Sequence, residues 1–291
     1  MKRSTIDRAV RIVDRLGISL VYPIDNRPEP RSLWSELHPG VDMEWSWDEN
    51  ADPRVADLWH LRERLARSHD VAYAKWFRGR ATFFSLPVFQ ALLGRLAEAG
   101  DVFAGLPREA VEILALLRER SPLSTKEIRA LADLRGKEHE TLFTQAMKAL
   151  WTRLLIVGTG EVPDGAFPSL AVGATELLFE DIWNARRNVP EEAKRQLDRV
   201  LEESPAFARE LRKALGEVSA GESGRVHRAE RGQRRARVDH GVTMDAPVRG
   251  PRTKRAAGKR RSVDGGGAAN AEELADAPFG EPTAAEVSRD H

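Results

Sequence analysis

Cysteine is absent from the chain. That excludes a disulfide framework and any zinc or iron–sulfur site ligated by cysteine, and makes a reducing compartment the natural setting. No apolar run approaches the length of a membrane span, so no membrane partner is expected. The start, Met1-Lys2-Arg3, leads into an amphipathic stretch with Asp7, Arg8, Arg11, Asp14 and Arg15 in place of the apolar core of a signal peptide. A cytoplasmic, nucleoid-associated location is the expectation. The seven histidines form no ligand spacing such as an i, i+4 helix pair, so neither a metal nor a small-molecule cofactor is expected.

The formal net charge of +1 over 291 residues hides a strong asymmetry. All seven tryptophans and most large aliphatic side chains lie before Gly216. From Arg225 to Arg261 there are thirteen Lys and Arg against three acids, followed by an acidic stretch from Glu272 to Glu286. Residues 217–291 have too little apolar surface to offset the entropy of ordering, so a disordered basic, then acidic, tail is expected. A flexible basic arm attracts polyanions with an affinity that falls steeply with salt.

In "KALWTRLLIVGTGEV" the period changes without an intervening loop. Phe143, Met147, Leu150 and Leu154 recur at helical steps, and from Leu155 the pattern turns to strand. Pro163, Asp164, Gly165 and Pro168 then break the chain before Leu170–Val172, which predicts a hairpin. Upstream, a helix opens after Pro107 with Val111, Ile113, Leu114 and Leu117 on its apolar side, and stops before Ser121-Pro122. A second helix starts at Ser124, whose spacing to Glu127 predicts a capping box, and buries Ile128, Leu131 and Leu134. Gly136 separates it from the third. Helix, turn, helix, helix, hairpin is the order of a winged helix-turn-helix over residues 105–180, in which the third helix enters the DNA major groove.

The N-terminal residues 1–104 repeat this order more loosely. Ile6, Val10, Val13 and Leu16 give a helix that Gly17 stops; "ISLVYPI" follows as a strand. A helix spans Pro53 to Ser68, and "VAYAKWFRGRATFFS" reads as a hairpin about Arg78-Gly79. Residues 181–216 close the folded part, with a last helix from Glu191 to Leu215. The expected class is mainly α with small β-hairpins (α+β), built as tandem winged-helix-like units.

The strings "LSTKEIRALADLRGKEHETLFTQAMKALWTRLLIVGTGEV", "FPSLAVGATELLFEDIW" and "YAKWFRGRATFFS" resemble the proteins grouped with the AlkZ and YcaQ DNA glycosylases. The resemblance implies tandem winged helices, DNA binding and, in catalytic members, excision of damaged or crosslinked bases with water positioned by a Gln-x-Gln or Gln-x-Asp motif. The glutamines here, Gln90, Gln145, Gln196 and Gln233, are read as lacking such a partner two residues on. No catalytic residue is carried over, and the expected function is DNA binding without the family's catalytic motif. The alternatives are a glycosylase with a carboxylate base, and a winged-helix protein–protein adaptor or transcription regulator.

Double-stranded DNA is the expected partner. On the third helix of the module, Lys137, Thr141, Thr144, Gln145, Lys148 and Thr152 are of types that contact phosphates and base edges, whereas Glu138 and Glu140 oppose this. Lys75, Arg78 and Arg80 cluster at the tip of the N-terminal hairpin, where they either grip phosphates or simply solvate a turn. Trp45 and Trp47 are residues able to stack on an extruded base, though such aromatics more often pack in a core. Asp25, Glu44 and Asp48 are the carboxylates to test for activating water.

Overall fold

The computed structural model describes residues 3–46, 52–163 and 168–239. Expectations for Trp47, Asp48, the 164–167 turn and residues 240–291 lie outside the described residues. The first half runs α1 (Arg3–Leu16), β1 (Ile18–Leu20), α2 (Leu33–Leu37), α3 (Pro53–Ser68), β2 (Val71–Phe77) and β3 (Arg80–Ser85). A connecting helix α4 (Leu86–Ala99) follows. The second half runs α5 (Arg108–Arg120), β4 (Leu123–Ser124), α6 (Thr125–Leu131), α7 (Glu140–Thr152), β5 (Ile156–Val162) and β6 (Ser169–Ala174). Four helices complete the described chain: α8 (Thr175–Leu178), α9 (Glu180–Ala185), α10 (Glu191–Glu203) and α11 (Pro205–Asp239).

Both halves therefore run helix, short strand, helix, helix, hairpin. Each makes an antiparallel three-stranded sheet in which the first strand pairs with the third, in the orders β1-β3-β2 and β4-β6-β5. This is the α+β class expected from the sequence, and the local reasons are visible. Pro53 opens α3 behind an Asp52 cap. Ser124 and Glu127 form the full capping box of α6. Arg78 and Gly79, both at positive φ (52° and 77°), make the two-residue turn that suits the twist of a hairpin.

The abrupt helix-to-strand change after α7 is a Schellman ending. The amide of Leu155 donates to Leu150 O (3.0 Å) and that of Leu154 to Trp151 O (3.1 Å), with Leu154 left-handed at φ 52°. Glycine usually takes this position. Here complete burial of the Leu154 side chain offsets the strain.

Four expectations are corrected. Val111 and Leu131, read as core, are 51% and 44% exposed, because α5 turns Ala110, Ile113, Leu114 and Leu117 inward and α6 is too short to bury a second turn. The single helix expected from Glu191 to Leu215 is two helices, since Ser204 precedes Pro205 and takes extended geometry (φ −123°, ψ 90°). The boundary expected at Gly216 falls inside α11. Past it, Val218 is fully buried, Gly221 lies against the backbone of Ala104 and Gly105, and Glu222 accepts from the amide of Asp101 at 3.2 Å.

The halves dock through β2 and α3 on one side and β5 and α7 on the other. Tyr73 of β2 lies so close to Gly158 of β5 that a Cβ there would sit 2.3 Å from the ring. Beside it, Arg62 of α3 forms an ion pair with Glu161 of β5, both buried (side chains 6% and 9% exposed). Arg62 also donates to Tyr73 Oη (3.3 Å) and stacks 3.5 Å from the Trp59 ring centre. Arg67 donates to the Glu161 carbonyl at 2.6 Å. One apolar core runs from Ile18 and Trp76 through Ile113, Leu150 and Val172 to Leu197, Phe207 and Val218; a second lies under α1–α3.

Removing one member of a buried pair leaves the other charge desolvated and unpaired. Glu161→Gln is expected to destabilise the fold by about 3–5 kcal/mol in denaturant unfolding, whereas the double change Arg62→Met with Glu161→Leu recovers most of the loss. A chain ending at Gly216 is expected to be about 2 kcal/mol less stable than one ending at Gly224, because the shorter chain lacks Val218.

Candidate nucleic-acid interface

Burial of Phe143, Ala146, Met147 and Leu150 fixes which side of α7 faces outward. Thr141, Gln145 and Lys148, spaced i, i+4 and i+7, remain exposed along one line. Lys137 is also exposed, but on a 3-10 turn (Lys137–His139) preceding the helix. Thr144 is half-buried and its hydroxyl points to Glu140, at 3.4 Å. Thr152 is removed from the face altogether: it is 4% exposed, in a last turn of α7 where Leu150 and Trp151 are buried too.

Glu140, counted from the sequence as repelling phosphate, has a partner. Arg129 of α6 donates to both its oxygens at 2.8 Å and lies 3.8 Å from the Phe143 ring centre. These hydrogen bonds hold the Glu140 carboxyl below its ordinary range.

Arg78 and Gly79 form the tip of the first hairpin, with Arg78 exposed, Arg80 half-buried at the start of β3, and Lys75 half-buried in β2. Trp76 and Phe77 beneath are core. The Phe77 ring meets Arg78 at 5.2 Å and Phe207 of α11 edge-on at 5.3 Å. This brings the first turn of α11 beneath the hairpin; farther along α11, Arg209, Arg212 and Lys213 are exposed cations that the sequence reading missed, Lys213 lying 3.7 Å from Glu210. The signal was present as the stripe Phe207, Leu211, Ala214, Val218, which defines the buried side of α11 and leaves those cations outside.

Asp25 and Glu44 are brought to neighbouring loops. Asn26 binds Met43 at both its amide (2.8 Å) and carbonyl (3.1 Å), which pins the 25–26 turn to the 43–44 segment. Asp25 and Asn26 are both left-handed, at φ 50° and 53°. Asp25 is exposed and 3.8 Å from Arg27; Glu44 is exposed too. Trp45 is half-buried, edge-on to Tyr22 at 4.9 Å, and packs against the second core, not as a free stacking platform.

The family model described as AlkZ related matches residues 3–216. The chain belongs to the AlkZ-related family. Neither the curated proteins nor the solved structures contain a match to it. Membership points to a DNA-repair, glycosylase-like fold and to interaction with DNA. Among the described residues no helix is long and apolar enough to cross a membrane.

One correction bears on the catalytic motif of AlkZ relatives. Gln196-Leu197-Asp198 does have the Gln-x-Asp spacing, contrary to the sequence reading. The string lies on α10, where residues two apart point in different directions. Leu197 is fully buried between them; Gln196 donates to the Asp14 carbonyl at 3.0 Å, while Asp198 pairs with Arg95 at 2.8 Å. The amide and the carboxylate are thus each held by a different partner.

Because the folded Glu140 pKa is depressed, the Arg129–Glu140 pair contributes stability above the ordinary carboxylate range and loses it as pH falls through the lowered value. Arg129→Met is expected to return Glu140 to the ordinary range in a carboxyl NMR titration, with an unshifted titration counting against the pairing.

Proposed function

We propose that this AlkZ-related chain binds double-stranded DNA through tandem winged-helix units and does not excise bases. The observation that carries this is the outward line Thr141, Gln145, Lys148 on α7, left open while Arg129 pairs with Glu140, although Glu138 stays exposed just ahead of it. An α-helix, about 10–12 Å across with side chains, fits the major groove. Gln145 is the residue suited to a base edge, and Lys148 and Lys137 to phosphates. Lys75, Arg78 and Arg80 supply a second phosphate contact. The basic segment from Arg225 to Arg261 adds attraction that carries no sequence information. The absence of turnover is supported by the divergence of Gln196 and Asp198.

A second reading, hydrolysis with a carboxylate base, is favoured by one observation. Asp25 is exposed on a left-handed turn held by the Asn26–Met43 clamp, and backbone strain of that kind clusters at functional positions.

Duplex binding measured against salt, together with single-turnover incubation on duplex carrying an alkylpurine or an interstrand crosslink, separates these readings. The expected outcome is binding whose salt slope falls by about one on Arg78→Ala and falls further on deleting residues 225–291. Gln145→Ala is expected to relax discrimination among sequences by about 1–3 kcal/mol. No base release above spontaneous depurination is expected. Release that disappears in Asp25→Asn would establish the second reading, and absence of duplex binding would overturn the first.

A further inference from the structure

Among the described residues four large apolar side chains stand exposed: Val111, Leu131, Leu142 and Leu177. Leu142, 40% exposed, is the one that lies on α7. Its place on that helix, and the residues beside it, match the edge of one kind of base pair.

Phe143, Ala146, Met147 and Leu150 fix the inward side of α7. At about 100° per residue, the outward arc then runs from one edge to the other through Thr144, Lys148, Thr141, Gln145, Ala149 and Leu142. The two edges differ. Glu140, held by Arg129, stands next to Thr144, so that edge is polar and its acid is paired. The opposite edge is apolar: Leu142 and the half-buried Ala149 are two turns apart and lie along one line of the helix. Gln145 falls between Leu142 and Lys148, three residues from each.

An amide beside an apolar group is the complement of an A·T pair. In the major groove that pair presents, across its width, the N7 acceptor and N6–H donor of adenine, the O4 acceptor of thymine and the thymine C5 methyl. A glutamine amide satisfies the first two together. The methyl is the one group on this edge that a leucine can cover, and a G·C pair has no apolar group there.

The charge around the arc suits the same partner. Arg135 and Lys137, exposed ahead of α7, and Lys148 on the helix are placed for phosphates, with Glu138 the exposed acid among them. Docking of a protein would call for a contiguous apolar patch of a few hundred Å². One leucine and one half-buried alanine do not make such a patch.

We propose that α7 reads A·T pairs in the major groove, Gln145 bonding adenine N7 and N6–H while Leu142 packs on the thymine methyl of the same or the adjoining pair. The proposal rests on the DNA-binding reading above. It adds the base pair preferred and a residue, Leu142, that confers the preference.

The test is the affinity of the full chain, at about 0.2 M salt to lower the non-specific share, for three duplexes of equal length and charge. One alternates A and T, one carries uracil in place of every thymine, and one alternates G and C. Uracil keeps the hydrogen-bonding groups of thymine and lacks only the methyl. The thymine duplex is expected to bind tightest, and uracil to weaken binding about fourfold, the factor that follows from burying one methyl group. Leu142→Ala is expected to abolish the thymine–uracil difference without changing affinity for the uracil duplex, and Leu142→Met to retain most of it. Leu177→Ala, at a leucine 48% exposed on α8, is expected to leave all three affinities unchanged. Because Leu142 is exposed, an unaltered melting temperature is expected to show the variant folded. Failure to bind any of the three duplexes would overturn the DNA-binding reading and this proposal with it. Duplex binding with thymine and uracil equal, with G–C bound as tightly as A–T, or with a thymine–uracil difference that survives Leu142→Ala would overturn this proposal alone.

Discussion

The buried contact of Arg62 with Glu161 sets how the two halves meet. A guanidinium and a carboxylate out of water are tolerable only when each satisfies the other; here Tyr73 Oη and the face of Trp59 add to the pairing, although Arg62 Nε is buried without a partner. That requirement leaves little freedom in the docking angle. Gly158 removes the last obstacle, letting the Tyr73 ring lie on the β5 backbone, and Arg67 fastens the carbonyl of the same glutamate. An apolar seam of equal area would tolerate sliding, but a paired charge does not.

Docking makes two similar halves unequal. Each has a third helix behind a short strand, and the sequence offers no reason to rank them. Once α3 is committed to β5, its Arg62 and Arg67 are consumed by structure. On α7, Thr152 is lost to the core while Thr141, Gln145 and Lys148 stay outside. The asymmetry assigns the first third helix to bracing and leaves the second open to a partner.

The C-terminal helices close the assembly from behind. Arg153, 4% exposed, donates to the carbonyls of Val102 and Ala104 at 2.9 and 2.6 Å and to that of Glu217 at 3.4 Å, tying the end of α7 to the α4–α5 connection and to α11. Burial lowers its pKa, so this cation is held by backbone dipoles and not by an acid in contact. Gly105 and Gly221 permit the same approach, since a side chain at either would collide with the other backbone segment. The packed structure thus reaches beyond residue 216, where the family match ends.

Local structure was legible from the sequence because its causes are local. The capping box at Ser124, the Arg78-Gly79 turn, the stop at Gly17 and the bounds of α3 each depend on a few adjacent residues with strong backbone preferences. The α+β class and the repeated element order follow from them. Which faces are covered was not legible. Val111 and Leu131 fit an apolar stripe yet face outward, and Thr152 fits a polar stripe yet faces inward, because a stripe shows only that one side is preferred and not what lies opposite. The Arg62–Glu161 pair spans 99 residues, a meeting that no local pattern records. The sequence determined by itself most of the elements, the α+β class and the family; only the tertiary structure decided that the chain after Ser204 packs as a helix past Gly216, which charges are paired, which helix face is free and where Gln196 and Asp198 part, because those depend on contacts between residues far apart in the chain.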